Sequence, residues 1–531
     1  MPLAQTTMFR KQGARRGRLT RPLTFLMALA LTLGFCVTGL LASAGPAQAV
    51  GSVVAYPLLN VDQYSNYTSS PVPDPNISMT VGGTPVNVQD NLDSAQTRFA
   101  MSGPQTVVIT DTAGVTSAAV RPAAFGMQPV VSGDTITFTL PQPEDFAAEI
   151  NGAKDALLVF ADPLEVSPPQ LVDSDVVNVT GFSGVNTTGS TETSALQAAI
   201  NYVSANSSTT PILYFPPGVY RTATLEIGSN VQLYLSSGAV LLADGTEGDY
   251  TQLPGTVGYP SSAILAVRGA SNVKIFGRGV VDGDGYNLQT AYGPVMGIFG
   301  LFTDGGTSNL TVNDVMFTNS VMWQTSIQGS YDLAFTNVKF NNPQGNIGNQ
   351  DDAFKINGDY NVTFTGGWLS SRDDSITFAA VGAEAIYNTS NINMSGTVID
   401  SLGTASAVIR FADLGSGQTM TGMNVSNIYD ISYGRGMELR ADGGNSPYQN
   451  SWGSGTVISN WDVENPAPLV HFGSSGSADV TVSGITISNM TMAGGSGGGQ
   501  TSGTPRTPGT TSISRTSRSA GSWPRTSAPW G

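Results

Sequence analysis

The chain has 531 residues, with 63 glycines, 30 prolines and only 11% charged side chains. That length exceeds one ordinary domain, and the composition suits short strands joined by tight turns rather than long charged helices. A balance of 23 basic against 38 acidic residues, net −15, argues against nucleic acid and anionic membranes as partners.

Residues 1–49 read as an export signal. Arg10, Lys11, Arg15, Arg16, Arg18 and Arg21 form a basic stretch, an apolar run follows from about Leu23 to Leu41, and Ala47-Gln48-Ala49 is a small-x-small cleavage site. The apolar run is nearly long enough for a membrane anchor, and the cleavage site favours removal instead. Arg15-Arg16 is followed by Gly17-Arg18-Leu19, a poor twin-arginine match, and Phe35 is too bulky before Cys36 for a lipoprotein site. The segment holds six basic residues and no acidic ones, so the remainder carries 17 basic against 38 acidic, a net of −21. Cys36 is the only cysteine, so the mature chain is expected to be secreted without disulfide, thiol nucleophile or cysteine metal site.

Residues 50–168 predict a small all-β module. Alternating runs such as Thr106 to Thr110, Asp134 to Leu140 and Ala156 to Phe160 are punctuated by Gly and Pro, and a β-sandwich fits them best. The stretch Pro163 to Pro169 marks its end. A helical stripe follows at Thr193 to Val203, from Ser194, Leu196, Ala199, Ile200 and Val203.

From 172 to 494 a short motif returns: a polar residue, an apolar one, any residue, an apolar one. It appears as Asn272-Val273-Lys274-Ile275, Asn309-Leu310-Thr311-Val312, Asp332-Leu333-Ala334-Phe335, Asn361-Val362-Thr363-Phe364, Asn391-Ile392-Asn393-Met394 and Asp479-Val480-Thr481-Val482. The first five lie 37, 23, 29 and 30 residues apart. Strand-length repeats with no helices between them predict a solenoid of stacked β-coils, a parallel β-helix, in preference to a second sandwich. Residues 495–531 turn to Gly, Ser, Thr, Pro and Arg without alternation, as a disordered tail or a reading-frame shift near Gly494 would give.

The densest acids of the repetitive region are Asp351 and Asp352, in Asn349 to Ile356, and Asp373 and Asp374, in Ser371 to Ile376. Asp352 and Asp373 are 21 residues apart, close to one coil, so stacking brings these carboxylates together. Crowded carboxylates repel, and the repulsion keeps one of them protonated at a pH where the others are ionised. Glycoside hydrolysis needs that division: one carboxylic acid protonates the leaving oxygen and another carboxylate activates water. Asp352, Asp373 and Asp374 are therefore the expected catalytic trio. Trp323, Trp368 and Tyr433 are aromatics able to stack on sugars, and Arg372, Arg410 and Arg440 are candidates for hydroxyl or carboxylate contacts. No zinc spacing, phosphate loop, dinucleotide motif or serine-nucleophile constellation is present, so neither a metal nor a cofactor is expected.

These residues resemble the polygalacturonase family, glycoside hydrolase family 28, on the pectin-lyase-like fold. Gln350-Asp351-Asp352-Ala353 is similar to that family's Asn-Thr-Asp-Gly, Asp373-Asp374 to its Asp pair, Gly277 to Gly283 to its Gly-x-Gly-x-x-Asp-Gly coil, and Ser320 to Trp323 to the segment ahead of its active coil. The resemblance implies a right-handed β-helix, Asp373 as general acid, and Asp352 and Asp374 holding water for single displacement with inversion. Two departures stand out. No histidine follows the Asp pair in Ser401 to Gly415, the only one being His471, and the family's Arg-Ile-Lys is matched by Glu438-Leu439-Arg440. A glutamate facing a carboxylate-bearing sugar is repulsive, which with the acidic surface stands against pectin.

The dextranase and isopullulanase family, glycoside hydrolase family 49, is a close rival. Ala407 to Phe411, Val120-Arg121-Pro122 and Leu158 to Ala161 resemble its segments, and that family carries a sandwich ahead of the helix. The expectation is a secreted monomeric glycosidase acting on a polysaccharide. A calcium-dependent polysaccharide lyase and a non-catalytic carbohydrate-binding β-helix are the alternatives.

Overall fold

The computed structural model describes residues 51–57, 72–91, 94–254, 261–293, 297–342, 351–383, 385–402, 407–415 and 417–432, and beyond these 437–441, 451–465, 470–473, 481–482, 484–492, 500–502 and 514–516. Residues 1–49, Tyr433 and most of the tail lie outside them.

Residues 53–163 form two sheets facing each other. One has seven strands, including Ser94–Met101, Asp145–Ile150 and Ala153–Pro163, and the other has five, centred on Gln105–Asp111 and Thr135–Leu140. Alternation along Gln105–Asp111 puts Val107 and Ile109 inward, where they meet Phe99, Phe138, Phe146, Leu157 and Val159 in one core. Neighbouring strands are antiparallel except where Ala153–Pro163 runs parallel to Ser94–Met101.

From Val176 onward the strands pair in parallel among the described residues, in one sheet path of 22 strands and another of ten. Each coil contributes a long strand and a short strand to the former and one strand to the latter. The repeat motif falls on the long strands: Val273 pairs with Leu310, Leu310 with Leu333, Leu333 with Val362 and Val362 with Ile392. Its two apolar positions point inward and stack as ladders such as Ile275, Val312, Phe335, Phe364 and Met394, all buried in one core. The helix Thr193–Ala205 buries Leu196, Ala199, Ile200 and Val203 against the first coils.

The polar first residue of the motif has a separate job. Asn272, Asn309, Asp332, Asn361 and Asn391 all have φ between 50° and 58°, the left-handed corner that Asn and Asp tolerate better than other side chains. Their side chains then bond rung to rung: Asn309 Nδ2 donates to Asn272 Oδ1 at 2.7 Å, Asn361 to Asp332 at 2.9 Å and Asn391 to Asn361 at 2.7 Å. In later coils Gly422, Gly455 and Gly484, with φ of 68°, 71° and 73°, turn the same corner without a side chain.

The seven-stranded sheet packs on the short-strand face of the coils. Leu158 and Phe160 share a cluster with Val240, Leu242, Val280, Met316, Trp368 and Val398. Trp368 is fully buried there, edge-on to Phe160 at 5.5 Å. The short-strand face is thus covered, and at its boundary with the ten-stranded sheet Arg372 and Asp373 are only half-buried.

Candidate active site

The trio sits at that boundary. Asp351 and Asp352 end the turn before the strand Phe354–Asn357, and Arg372, Asp373 and Asp374 form the turn between Trp368–Ser371 and Ile376–Ala380. Phe354 pairs with Ile376, so this coil is 22 residues long, one more than the interval between Asp352 and Asp373. The extra residue places Asp352 level with Asp374 and Asp351 level with Asp373. Asp351 is fully buried, and its carboxylate clamps the next turn: Oδ1 accepts from the backbone N–H groups of Arg372 at 3.0 Å and Asp373 at 2.9 Å, and Oδ2 from Asn342 at 3.0 Å. Burial pushes its carboxyl up to about 6 against these hydrogen bonds. Asp351 thus fixes the backbone that carries Asp373, while Asp352, Asp373 and Asp374 bring oxygens within 4.8 Å of one another.

The three are not equivalent. Asp374 is fully buried; its Oδ1 accepts from the Ala407 N–H at 2.8 Å and its Oδ2 from Arg410 at 2.9 Å. Burial raises its pKa and Arg410 opposes the rise. Asp352 is buried too; its Oδ2 accepts from the Thr377 hydroxyl at 3.0 Å and lies 3.6 Å from the Lys355 ammonium, while its Oδ1 has no hydrogen-bond partner among the described residues. Asp373 is only half-buried, and its carboxyl receives no hydrogen bond among the described residues. Burial, then the charges of Asp352, Asp374 and Asp351, hold its pKa far above the ordinary carboxylate range. One half-buried carboxyl therefore holds its proton more tightly than a free carboxyl does, beside two buried carboxyls that each have a cation.

The other expected residues divide. Arg410 stands at the trio, paired with Asp374 across a coil. Arg372 is half-buried, with its backbone in the Asp351 clamp. Trp323 is 6% exposed, its ring stacked on Phe299 at 5.5 Å and covered by the Lys355 ammonium at 3.2 Å from the centroid. Arg440 pairs in register with Arg410, and His471 with Arg440, so Thr377, Arg410, Arg440 and His471 follow one column of the ten-stranded sheet. Glu438 precedes Leu439 on the same strand as Arg440; the side chains of Glu438, Arg440 and His471 lie outside the described residues.

Lys355, Thr377 and the Asp351 clamp were not singled out by the sequence. Strand parity offered a signal for the first: in Phe354-Lys355-Ile356 the flanking residues point into the core, which turns Lys355 outward beside the trio. Three carboxylates at this spacing have the donor set of a hard divalent cation, and here Arg410 and Lys355 already supply positive charge to two of them.

Residues 236–410, which carry the whole trio and Arg410, match glycosyl hydrolases family 28. No curated protein matches the sequence. Among solved structures, Dex49A from Penicillium minioluteum superposes with a TM-score of 0.56 at 15% identity, over 84% of this chain and 89% of that one. A hyperthermoactive exopolygalacturonase from Thermotoga maritima gives 0.50 at 16% identity, over 62% of this chain and 83% of that one. At such identities the likeness is one of fold.

Proposed function

We propose that this chain, a glycoside hydrolase carrying a family 28 segment, cleaves a polysaccharide with Asp373 as general acid and Asp352 and Asp374 as the pair that holds and activates water. The observation that carries the assignment is the unequal treatment of three carboxyls within 4.8 Å: two buried and ion-paired, one half-buried with no ion pair among the described residues. Asp373 delivers its proton to the glycosidic oxygen as the bond to the anomeric carbon breaks. Asp352, whose Oδ1 accepts no hydrogen bond among the described residues and whose Oδ2 is fixed by Thr377 and Lys355, takes the proton of the attacking water, and Asp374 holds that water from the neighbouring rung.

The resemblance to family 28 supports inversion. The closest carboxylate oxygens are nearer than the roughly 6.5–9.5 Å usual for inverting glycosidases, so water enters beside the acid on this scaffold. The anomer formed first, read by proton NMR, decides the point: retention overturns single displacement.

The substrate panel is polygalacturonate, dextran and pullulan, with released reducing ends measured. Asp373→Asn is expected to lower kcat on the cleaved polymer by on the order of 10²–10⁴-fold while circular dichroism and melting stay unchanged; a variant as active as the parent removes Asp373 from the mechanism. Activity that disappears with chelator, or product absorbing in the ultraviolet, supports the lyase reading instead. We also propose that the chain acts outside the cell as a monomer after residues 1–49 are removed, with 50–168 and 172–494 as its two domains.

A further inference from the structure

A second feature lies at the other end of the same strands. One position near the start of successive long strands runs Ser308, Tyr331, Tyr360, Ser390, Thr421 in register from coil to coil. Tyr331 and Tyr360 stack with centroids 5.0 Å apart and planes 2° from parallel, the natural result of identical rings on rungs about 4.8 Å apart. Tyr387 stands edge-on to both, at 5.9 and 5.1 Å. At the next rung the ring is missing. Ser390 takes its place, and a cavity of about 540 Å³ opens there, lined by Tyr360, Tyr387, Asn388, Ser390 and Gln418 among others.

The polar groups of this cavity are oriented from behind. Asn388 Oδ1 accepts from the Thr419 N–H at 2.9 Å, which turns its amide donors away from that bond. Gln418 Nε2 donates to the Ala385 carbonyl at 2.7 Å, which leaves its carbonyl oxygen as an acceptor. Among the described residues, those that line the cavity carry no charged side chain. An aromatic face, a fixed donor, a fixed acceptor and a serine hydroxyl, with no charge, match an uncharged ring that has apolar faces and hydroxyls at its rim.

We propose that this cavity is a second carbohydrate site, in which a neutral hexopyranose unit stacks on Tyr360 in the place of a third ring of the column. The choice of ligand rests on the proposed polysaccharide hydrolysis; the site itself rests on the truncated stack and the oriented amides. It is separate from the trio, because Asp373 and Asp374 precede the strand Ile376–Ala380 and Ser390 follows it. A strand of that length spans roughly 15 Å, so one polymer chain reaches both. The site would hold a long polymer on the enzyme between cleavages.

The test uses the full chain with Asp373→Asn to suppress cleavage, run in native gels containing dextran or pullulan. Retardation by at least one polymer is expected, and Tyr360→Ala is expected to reduce it about threefold or more. Ser390→Tyr, which fills the slot with the chain's own ring, should do the same while leaving the Tyr360 ring in place. Equal retardation of parent and both variants, or no retardation of the parent by either polymer, overturns the site. With Asp373 intact, Tyr360→Ala is expected to raise KM for the long polymer and leave kcat unchanged. Hydrolysis that depends on Asp373 together with Tyr360-independent binding sinks this site and spares the hydrolase. Tyr360-dependent binding with no hydrolysis does the reverse.

Discussion

Arg410 decides how two adjacent aspartates differ. Asp373 and Asp374 are neighbours in one turn, yet only Asp374 reaches the guanidinium, at 2.9 Å. Burial raises the pKa of Asp374, and Arg410 is the largest influence opposing that rise. Replacing it in Arg410→Ala removes the opposition, so the carboxyl moves further up. The carboxylate that holds the attacking water must be ionised to act; when its pKa rises, the acidic limb of the kcat–pH profile moves to higher pH. The expected variant has that limb displaced upward and a kcat lowered on the order of 10²-fold even on its plateau, because the carboxylate is also less firmly held. A limb that stays in place or moves down excludes Asp374 as the ionised partner. Of this site, the spacing of acids was readable in the sequence, and so was Arg410 as a cation. The division of labour was not, because it depends on a 22-residue coil that sets Asp352 level with Asp374 and turns Asp351 into a clamp. Lys355 was hidden for a similar reason: its importance comes from Asp352 at 3.6 Å and the Trp323 ring beneath it, contacts that a linear motif does not display.

Between residue and molecule stands the coil, whose corner is the part most open to direct test. Asn361 has φ 56°, donates to Asp332 and accepts from Asn391. Asn361→Ala loses both ladder bonds and forces a β-carbon without compensating hydrogen bonds into the left-handed region, at about 1–2 kcal/mol for the backbone alone. Adding about 0.5–1 kcal/mol for each of the two exposed amide bonds gives about 2–4 kcal/mol in all. Asn361→Gly loses the same bonds and accepts the corner freely, so it is expected to cost less, and Gly422 and Gly455 show that later coils use glycine there. Denaturant midpoints should therefore fall in the order parent, Gly, Ala; Ala at or above Gly rules out backbone conformation as the reason for Asn. The same corner explains why the coils were legible at all. The polar residue of the motif is the αL corner and the two apolar ones are inward rungs, so the intervals of 37, 23, 29 and 30 residues reappear as strand registers. What the motif does not encode is the strand Met420–Asp430, which spans the positions of both a long and a short strand.

At the scale of the whole molecule, the sandwich and the coils meet at a buried charge that neither half could keep alone. Asp162 is fully buried and ion-paired with Lys339, and it lies 3.7 Å from Arg278 and 3.9 Å from Arg98. Tyr56 Oη donates to its Oδ2 at 3.0 Å and Asn337 to its Oδ1 at 2.9 Å. Burial by itself raises the pKa of such a carboxyl; Lys339, Arg278 and Arg98 together overcome it and hold Asp162 below its ordinary value. Asp145, 3.7 Å from the same lysine, has less help, and burial pushes it up to about 7. Lys339 therefore serves Asp162 first. Asp162→Ala leaves a fully buried ammonium and a guanidinium short of their main counter-charge, the kind of change that costs about 3–5 kcal/mol. Asp145 takes up part of the load, so the lower end of that range is expected, as a fall in the calorimetric midpoint at pH 7. The sign of the pH dependence follows from the lowered pKa. A carboxyl that binds its proton less readily when folded contributes stability above its unfolded value near 3.8, and that contribution is lost as the pH falls through the folded value. The gap between parent and Asp162→Ala should accordingly be full at pH 7 and shrink below about pH 4. A gap that is absent at pH 7, or that widens on acidification, means that the seam is held by the contact of Phe160 with Trp368 and its apolar neighbours rather than by charge.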